Sequence, residues 1–158
     1  MYTTKNDLPE RARERMIELL NSRLAYWIDL LLMSKQAHCN VKGPSFYSLH
    51  LLFDKVAEDV QEYVDEIAER VAQLGGSVAG TLRMAAQRTI LPEYPPGIAD
   101  GLRHVEALSS AIAAYGKEVR YGIEAANEVN DADTADLFTE VSRGLDKWLW
   151  MVEAHLQR

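Results

Sequence analysis

The chain has 158 residues, 47% hydrophobic and 26% charged, a length that suits one domain with a sizeable core. Its net charge of -7 argues against a generic affinity for nucleic acid, because phosphate binding needs a basic surface. A single cysteine excludes an internal disulfide and zinc-finger spacing, and the lack of an apolar signal segment or membrane-length apolar run makes a cytoplasmic location the expectation.

The chain reads as helices separated by clear punctuation, with no convincing strand alternation. A first helix is predicted from near Pro9, a residue suited to the first turn, with Asp7 close by as a cap. Its apolar residues Met16, Leu20, Leu24, Trp27, Leu31 and Ala37 recur mostly at three- and four-residue steps, and it should end near Asn40, before Gly43 and Pro44. A second helix is predicted from a Ser45 cap to Leu74, where Gly75-Gly76 stops it. Its stripe of Leu49, Phe53, Val56, Val60, Val64, Ile67, Val71 and Leu74 is heptad-like and demands a partner helix. A short helical piece around Leu82 to Gln87 and the extended linker "ILPEYPPG" follow. A third helix runs from about Ala99 to Asn127 and a fourth from about Asp133 to His155. Four helices with one long connection between the second and third predict an all-α, ferritin-like four-helix bundle with a crossover carrying a short helix. Residues 1–158 form a single such domain, with 1–8 as a short flexible tail. Cytokine-like bundles use two long crossovers and fit less well.

The second helix carries Asp54, Glu58, Asp59, Glu62, Asp65, Glu66 and Glu69 against Lys55 and Arg70. A solvated face is the ordinary reading of any one of these acids. Asp65 and Glu69, however, stand four apart, which sets like charges side by side at a small cost that a bound cation would reverse. At about 100° per residue, Asp54, Asp65 and Glu69 lie within about 100° of His50, away from the apolar stripe. Asp54 and Asp65 are about 16 Å apart along the axis, too far for one site within one chain. His50 and Glu69 are placed symmetrically about residues 59 and 60, and so are Asp54 and Asp65. Two copies of this helix crossing antiparallel on a two-fold axis would therefore bring His50 opposite Glu69 and Asp54 opposite Asp65. His38, at the end of the first helix, completes a set of His38, His50 and Asp54 from one chain with Asp65 and Glu69 from another. Mixed imidazole and carboxylate ligands suit iron, manganese or zinc better than calcium or magnesium. The Glu-x-x-His pair of a di-iron site inside a bundle is absent: the residues three before His38, His50, His104 and His155 are Lys35, Tyr47, Gly101 and Val152. An iron site should therefore lie outside the chain's own bundle.

The stretch "KQAHCNVKGPSFYSLHLLFDKVAEDVQEYVDEIAERVAQLGG" closely resembles the Dps family, DNA-binding proteins from starved cells or mini-ferritins, and the likeness extends through "DTADLFTEVSRGLDKWLWMVEAHL". The resemblance implies a homo-oligomeric shell of twelve subunits with ferroxidase sites at its two-fold interfaces. It implies the same ligands: His38, His50 and Asp54 from one subunit, Asp65 and Glu69 from its neighbour. It further implies oxidation of ferrous iron, typically by hydrogen peroxide, storage of ferric mineral in the cavity, and protection against oxidative damage. Zinc or manganese are alternative metals for the same ligands. Similar proteins line three-fold pores with acids near the start of the last helix, which points to Asp131, Asp133 and Asp136. Local chemistry alone would make Asp133 a helix cap and Asp131 a turn residue.

The chain departs from the family in two places. Many relatives bind DNA through a lysine-rich tail, whereas here Lys5 stands alone before Asp7 and "EAHLQR" has no lysine. Nonspecific DNA binding scales with the phosphates neutralised, so iron detoxification without strong DNA binding is the expectation. The alternatives are a nucleoid-associated, DNA-binding stress protein with a weak or retuned site, and a metal-free helical interaction module. Cys39 stands where relatives commonly place tryptophan; a small buried hydrophobe is its simplest reading, with an extra soft ligand or an oxidisable thiol as alternatives. His104 and His155 are read as surface or structural residues.

Overall fold

The computed structural model describes residues 1–157, which are helical apart from loops and one isolated parallel bridge between Lys42 and Asp100. Helix α1 spans Glu10–Asn40, α2 Phe46–Gln73, α3 Leu82–Arg88, α4 Gly101–Glu128 and α5 Ala132–Glu153. α1 packs chiefly on α2 and α4 on α5, while α1–α4 and α2–α5 contacts close the bundle and α3 lies against α1. This is the predicted four-helix bundle with a crossover.

The apolar periodicity explains the packing. Met16, Leu20, Leu24, Trp27 and Ala37 of α1 are fully buried, as are Leu49, Phe53, Val56, Val60, Ile67, Val71 and Leu74 on the α2 side. Leu31 is only partly buried; Leu30, one position earlier, takes the core position. Each large apolar side chain removed from water in this way contributes about 1.5–3 kcal/mol before entropy is counted. Polar pins supplement the core. Asn21 donates to the Ser77 carbonyl at 3.0 Å and accepts from the Ala79 N–H at 2.8 Å, and the Thr89 hydroxyl donates to Asp29 at 2.6 Å. Both ends of the α3 segment are thereby fastened to α1. Tyr115 of α4 is fully buried and donates its hydroxyl to the Arg23 carbonyl of α1 at 2.5 Å.

Two local expectations are corrected. Asp7 does not cap α1; Pro9 itself holds the capping position, with no side-chain hydrogen bond. The cap of α5 is Asp131, not Asp133: the Asp131 carboxylate accepts from the Thr134 N–H at 3.0 Å. Residues 1–8 touch the rest of the chain near both ends. The Tyr2 N–H donates to the Gly75 carbonyl at 2.7 Å, Arg13 donates to Leu74 O at 3.2 Å, and Leu8 packs on the core. Gly75 makes this docking feasible: its φ of 85° suits glycine, and a Cβ there would come within 2.7 Å of the Tyr2 carbonyl oxygen.

Candidate metal centre

The turn "NVKGPS" reverses the chain between α1 and α2. Gly43, at φ 106°, and Pro44 stop α1 from continuing, and Ser45 opens α2. The end of α1 is thereby laid beside the start of α2, and His38 meets His50. Their rings stack with centroids 3.7 Å apart and planes at 22°. Each Nδ1 lies 2.9 Å from the backbone carbonyl oxygen of the other histidine. A carbonyl only accepts, so each Nδ1 must carry a proton, and in the neutral ring Nε2 keeps its lone pair. Neither Nε2 is hydrogen-bonded among the described residues. This carbonyl lock on the distal nitrogen is the arrangement that fixes tautomer and ring angle in metal-binding histidines. Both rings are mostly shielded from solvent but not enclosed.

Asp54, one helical turn after His50, stands beside the pair with its Oδ1 3.8 Å from His38 Nδ1. The same oxygen accepts a 2.5 Å hydrogen bond from Lys35 Nζ. That ammonium holds the Asp54 carboxyl below its usual range; burial opposes it, and any positive charge on His38 and His50 acts in the same direction as Lys35. Lys35 is not among the residues that the sequence pattern assigns to the site. Its three-residue spacing from His38, which puts both on one face of α1, was the signal that it belonged to this cluster.

Asp65 and Glu69 are exposed and make no salt bridge among the described residues. They lie further along α2, about 16 Å and 22 Å from Asp54 by helical rise. The chain by itself does not unite the five predicted residues: His38, His50 and Asp54 come together, Asp65 and Glu69 do not join them. Among the described residues, no group of three or more His, Cys, Asp or Glu is placed to hold a metal ion alone. The surroundings of the second pair are strongly acidic. Burial, then the charges of Glu140, Glu62, Asp65 and Glu69, push the Glu66 carboxyl above its ordinary value. Tyr47 and Leu51, which share the flank of α2 with His50, Asp54, Asp65 and Glu69, are 70% and 46% exposed.

The chain matches known proteins along nearly its whole length. The Ferritin-like domain family model matches residues 17–158. The DNA protection during starvation protein of Agrobacterium fabrum strain C58 is 44% identical over 156 residues, covering 99% of this chain and 96% of that protein. Among solved structures, DpsA14 from Streptomyces coelicolor superposes with a TM-score of 0.94 at 33% identity, covering 99% of this chain and 92% of that one. The chain belongs to the Dps family of ferritin-like proteins. A Dps protein from Vibrio cholerae O1, described as a member of a broad superfamily of ferritin-like diiron-carboxylate proteins, aligns at 25% identity with a TM-score of 0.92, covering 99% of this chain and 98% of that one.

Two expectations read differently in three dimensions. Of the three acids assigned to a pore, Asp133 and Asp136 are exposed, but the Asp131 side chain is only 1% exposed. It is paired with Arg70 Nη2 at 2.8 Å and accepts the Thr134 hydroxyl at 2.6 Å, so its carboxylate is engaged inside the chain rather than offered to an ion. Cys39 was expected to be a small buried hydrophobe; it is exposed, because its position on α1 points away from the α2 contact that buries Ala37. Of the two readings of His104, surface or structural, its burial excludes the surface one: it is fully buried, with Nδ1 2.7 Å from the Tyr94 hydroxyl.

Proposed function

We propose that this Dps protein is a ferroxidase mini-ferritin, taking Fe2+ as substrate at sites shared between two copies of the chain and storing the ferric product in a dodecameric shell. The observation that carries the reading is the His38–His50 lock. It leaves the Nε2 of both imidazoles free of hydrogen bonds, with the Asp54 carboxylate beside the pair and both rings partly exposed. Imidazole with carboxylate is a donor set suited to iron, and zinc or manganese would meet the same donors. In an antiparallel two-fold crossing of α2, Asp65 and Glu69 of a second copy would supply the remaining carboxylates, and the exposed Tyr47 and Leu51 on that flank would gain cover.

The residues then divide the work. The histidines, fixed by backbone carbonyls, cannot swing out and so hold the ion without reorganisation. The carboxylates offset its charge, and those of the second copy arrive unpaired. Two Fe2+ each give one electron to one hydrogen peroxide, whose O–O bond breaks; with two protons taken up, the products are two Fe3+ and two waters. Pairing the donors in this way avoids release of a one-electron hydroxyl radical. A nucleoid role has less support, because the amino-terminal segment holds one lysine and is docked on Gly75.

Anaerobic ferrous titration followed by peroxide, monitored by ultraviolet absorbance, tests the assignment. His50→Ala combined with Glu69→Ala should abolish the fast oxidation phase. Equal rates in wild type and variant would refute the site.

A further inference from the structure

We propose that Lys35 is a built-in competitor for the Asp54 carboxylate, which a divalent cation must displace, and that it sets the affinity of the half-site. The inference rests on the site reading above and adds a regulator to it.

The geometry divides the half-site into a fixed part and a movable part. Each imidazole is held by a 2.9 Å bond to the other's backbone. Asp54, by contrast, is held at 2.5 Å by a side chain that is half exposed. Lysine presents a hydrated point charge on a flexible four-carbon stem, so it leaves and returns without disturbing the backbone. It also stands three residues before His38, the position where bundle di-iron sites carry the glutamate of Glu-x-x-His. At that position this chain places a cation instead of a ligand. With Lys35 in place, Asp54 is already neutralised and an arriving cation gains less from it. When an oxidised ion leaves, the ammonium closes on Asp54 again and favours release over retention.

Exposed ion pairs of this kind are weak, so the expected effect is modest: Lys35→Gln should tighten binding about two- to fivefold. The probe is Co2+, titrated anaerobically into the assembled protein and followed by its visible absorbance, with circular dichroism checking the fold. Lys35→Arg keeps the charge and should bind no more tightly than wild type. Unchanged or weaker binding in Lys35→Gln, or equal tightening in both variants, overturns the proposal. His50→Ala separates this from the site reading. Loss of Co2+ binding in His50→Ala with no change in Lys35→Gln overturns the role of Lys35 alone; wild-type binding in His50→Ala overturns the site itself.

Discussion

The pair Arg70–Asp131 offers a sharp test of where this chain spends its acids. Asp131→Asn keeps the size of the side chain and an oxygen able to cap α5, but removes the charge. In the wild type, one carboxylate oxygen accepts from Arg70 at 2.8 Å and from the Thr134 N–H at 3.0 Å, and the other accepts the Thr134 hydroxyl at 2.6 Å. The side chains of Arg70 and Asp131 are only 10% and 1% exposed. Leaving one member of a buried pair without its partner costs about 3–5 kcal/mol. Arg70 keeps the Thr134 hydroxyl at 2.9 Å and Gln73 at 3.2 Å, with exposed Asp133 at 3.9 Å, so the low end of about 3 kcal/mol applies. For a chain of this length that is a fall in Tm of about 6–12 °C. Asp131→Ala removes the cap as well and should lose about 1 kcal/mol more. The measurement is thermal unfolding by circular dichroism at one protein concentration, since assembly contributes to apparent stability. Arg70→Met in the same cycle should make the double variant more stable than the sum of the single losses predicts. An Asp131→Asn protein that melts with the wild type, or strictly additive losses, would refute the structural assignment. Slower ferrous uptake at unchanged Tm would instead return Asp131 to the pore.

Three further outcomes follow from separate features. Burial holds the His104 imidazole below its ordinary value of 6.5. The unfolded chain therefore binds a proton there first, and stability should decline as pH falls below about 6.5 until the folded pKa is reached; His104→Phe should flatten that part of the urea-midpoint profile, and an unchanged slope would contradict it. Gly144→Ala drives a methyl group onto the Tyr63 hydroxyl and to 2.9 Å from its Cζ, so overpacking of about 1–3 kcal/mol should outweigh the gain of up to about 1 kcal/mol in helix propensity. Tyr63→Phe should recover part of that loss in denaturant titrations, and no recovery would place the strain elsewhere. The intact assembly should shift DNA weakly even at low salt, given a charge of -7 on each chain; a tight low-salt gel shift would overturn the reading that places little weight on DNA.

The long helices were legible because their apolar residues recur at helical spacing and the turns carry glycine, proline or polar caps. Their ends were legible only to a residue or two. Asp131 and Asp133 are both plausible caps in "NDADTAD"; the choice falls to Asp131 because Arg70, from a helix 61 residues away in sequence, buries its charge. Cys39 went astray for a related reason, since neighbours in sequence face different surroundings: Ala37 faces α2 and is fully buried, while Cys39 faces solvent. Lys35 was visible as a letter but not as a contact, because nothing in the residue order shows that its ammonium reaches across the α1–α2 turn to Asp54.

The histidine lock shows what one chain completes by folding alone. Each ring is held by the other's backbone carbonyl, so the lock forms whenever the turn at Gly43 and Pro44 closes, with no help from a second copy. Asp65 and Glu69 sit on the same helix as His50 and Asp54, and a straight helix holds them about 16 Å or more from Asp54. No rearrangement within the bundle bridges that gap without breaking α2, whose apolar stripe from Leu49 to Val71 is buried except at the partly buried Val64. In the proposed assembly, metal affinity should therefore depend on association: dilution or an interface variant that separates the copies would leave the fold and the lock intact and remove two of the five ligands.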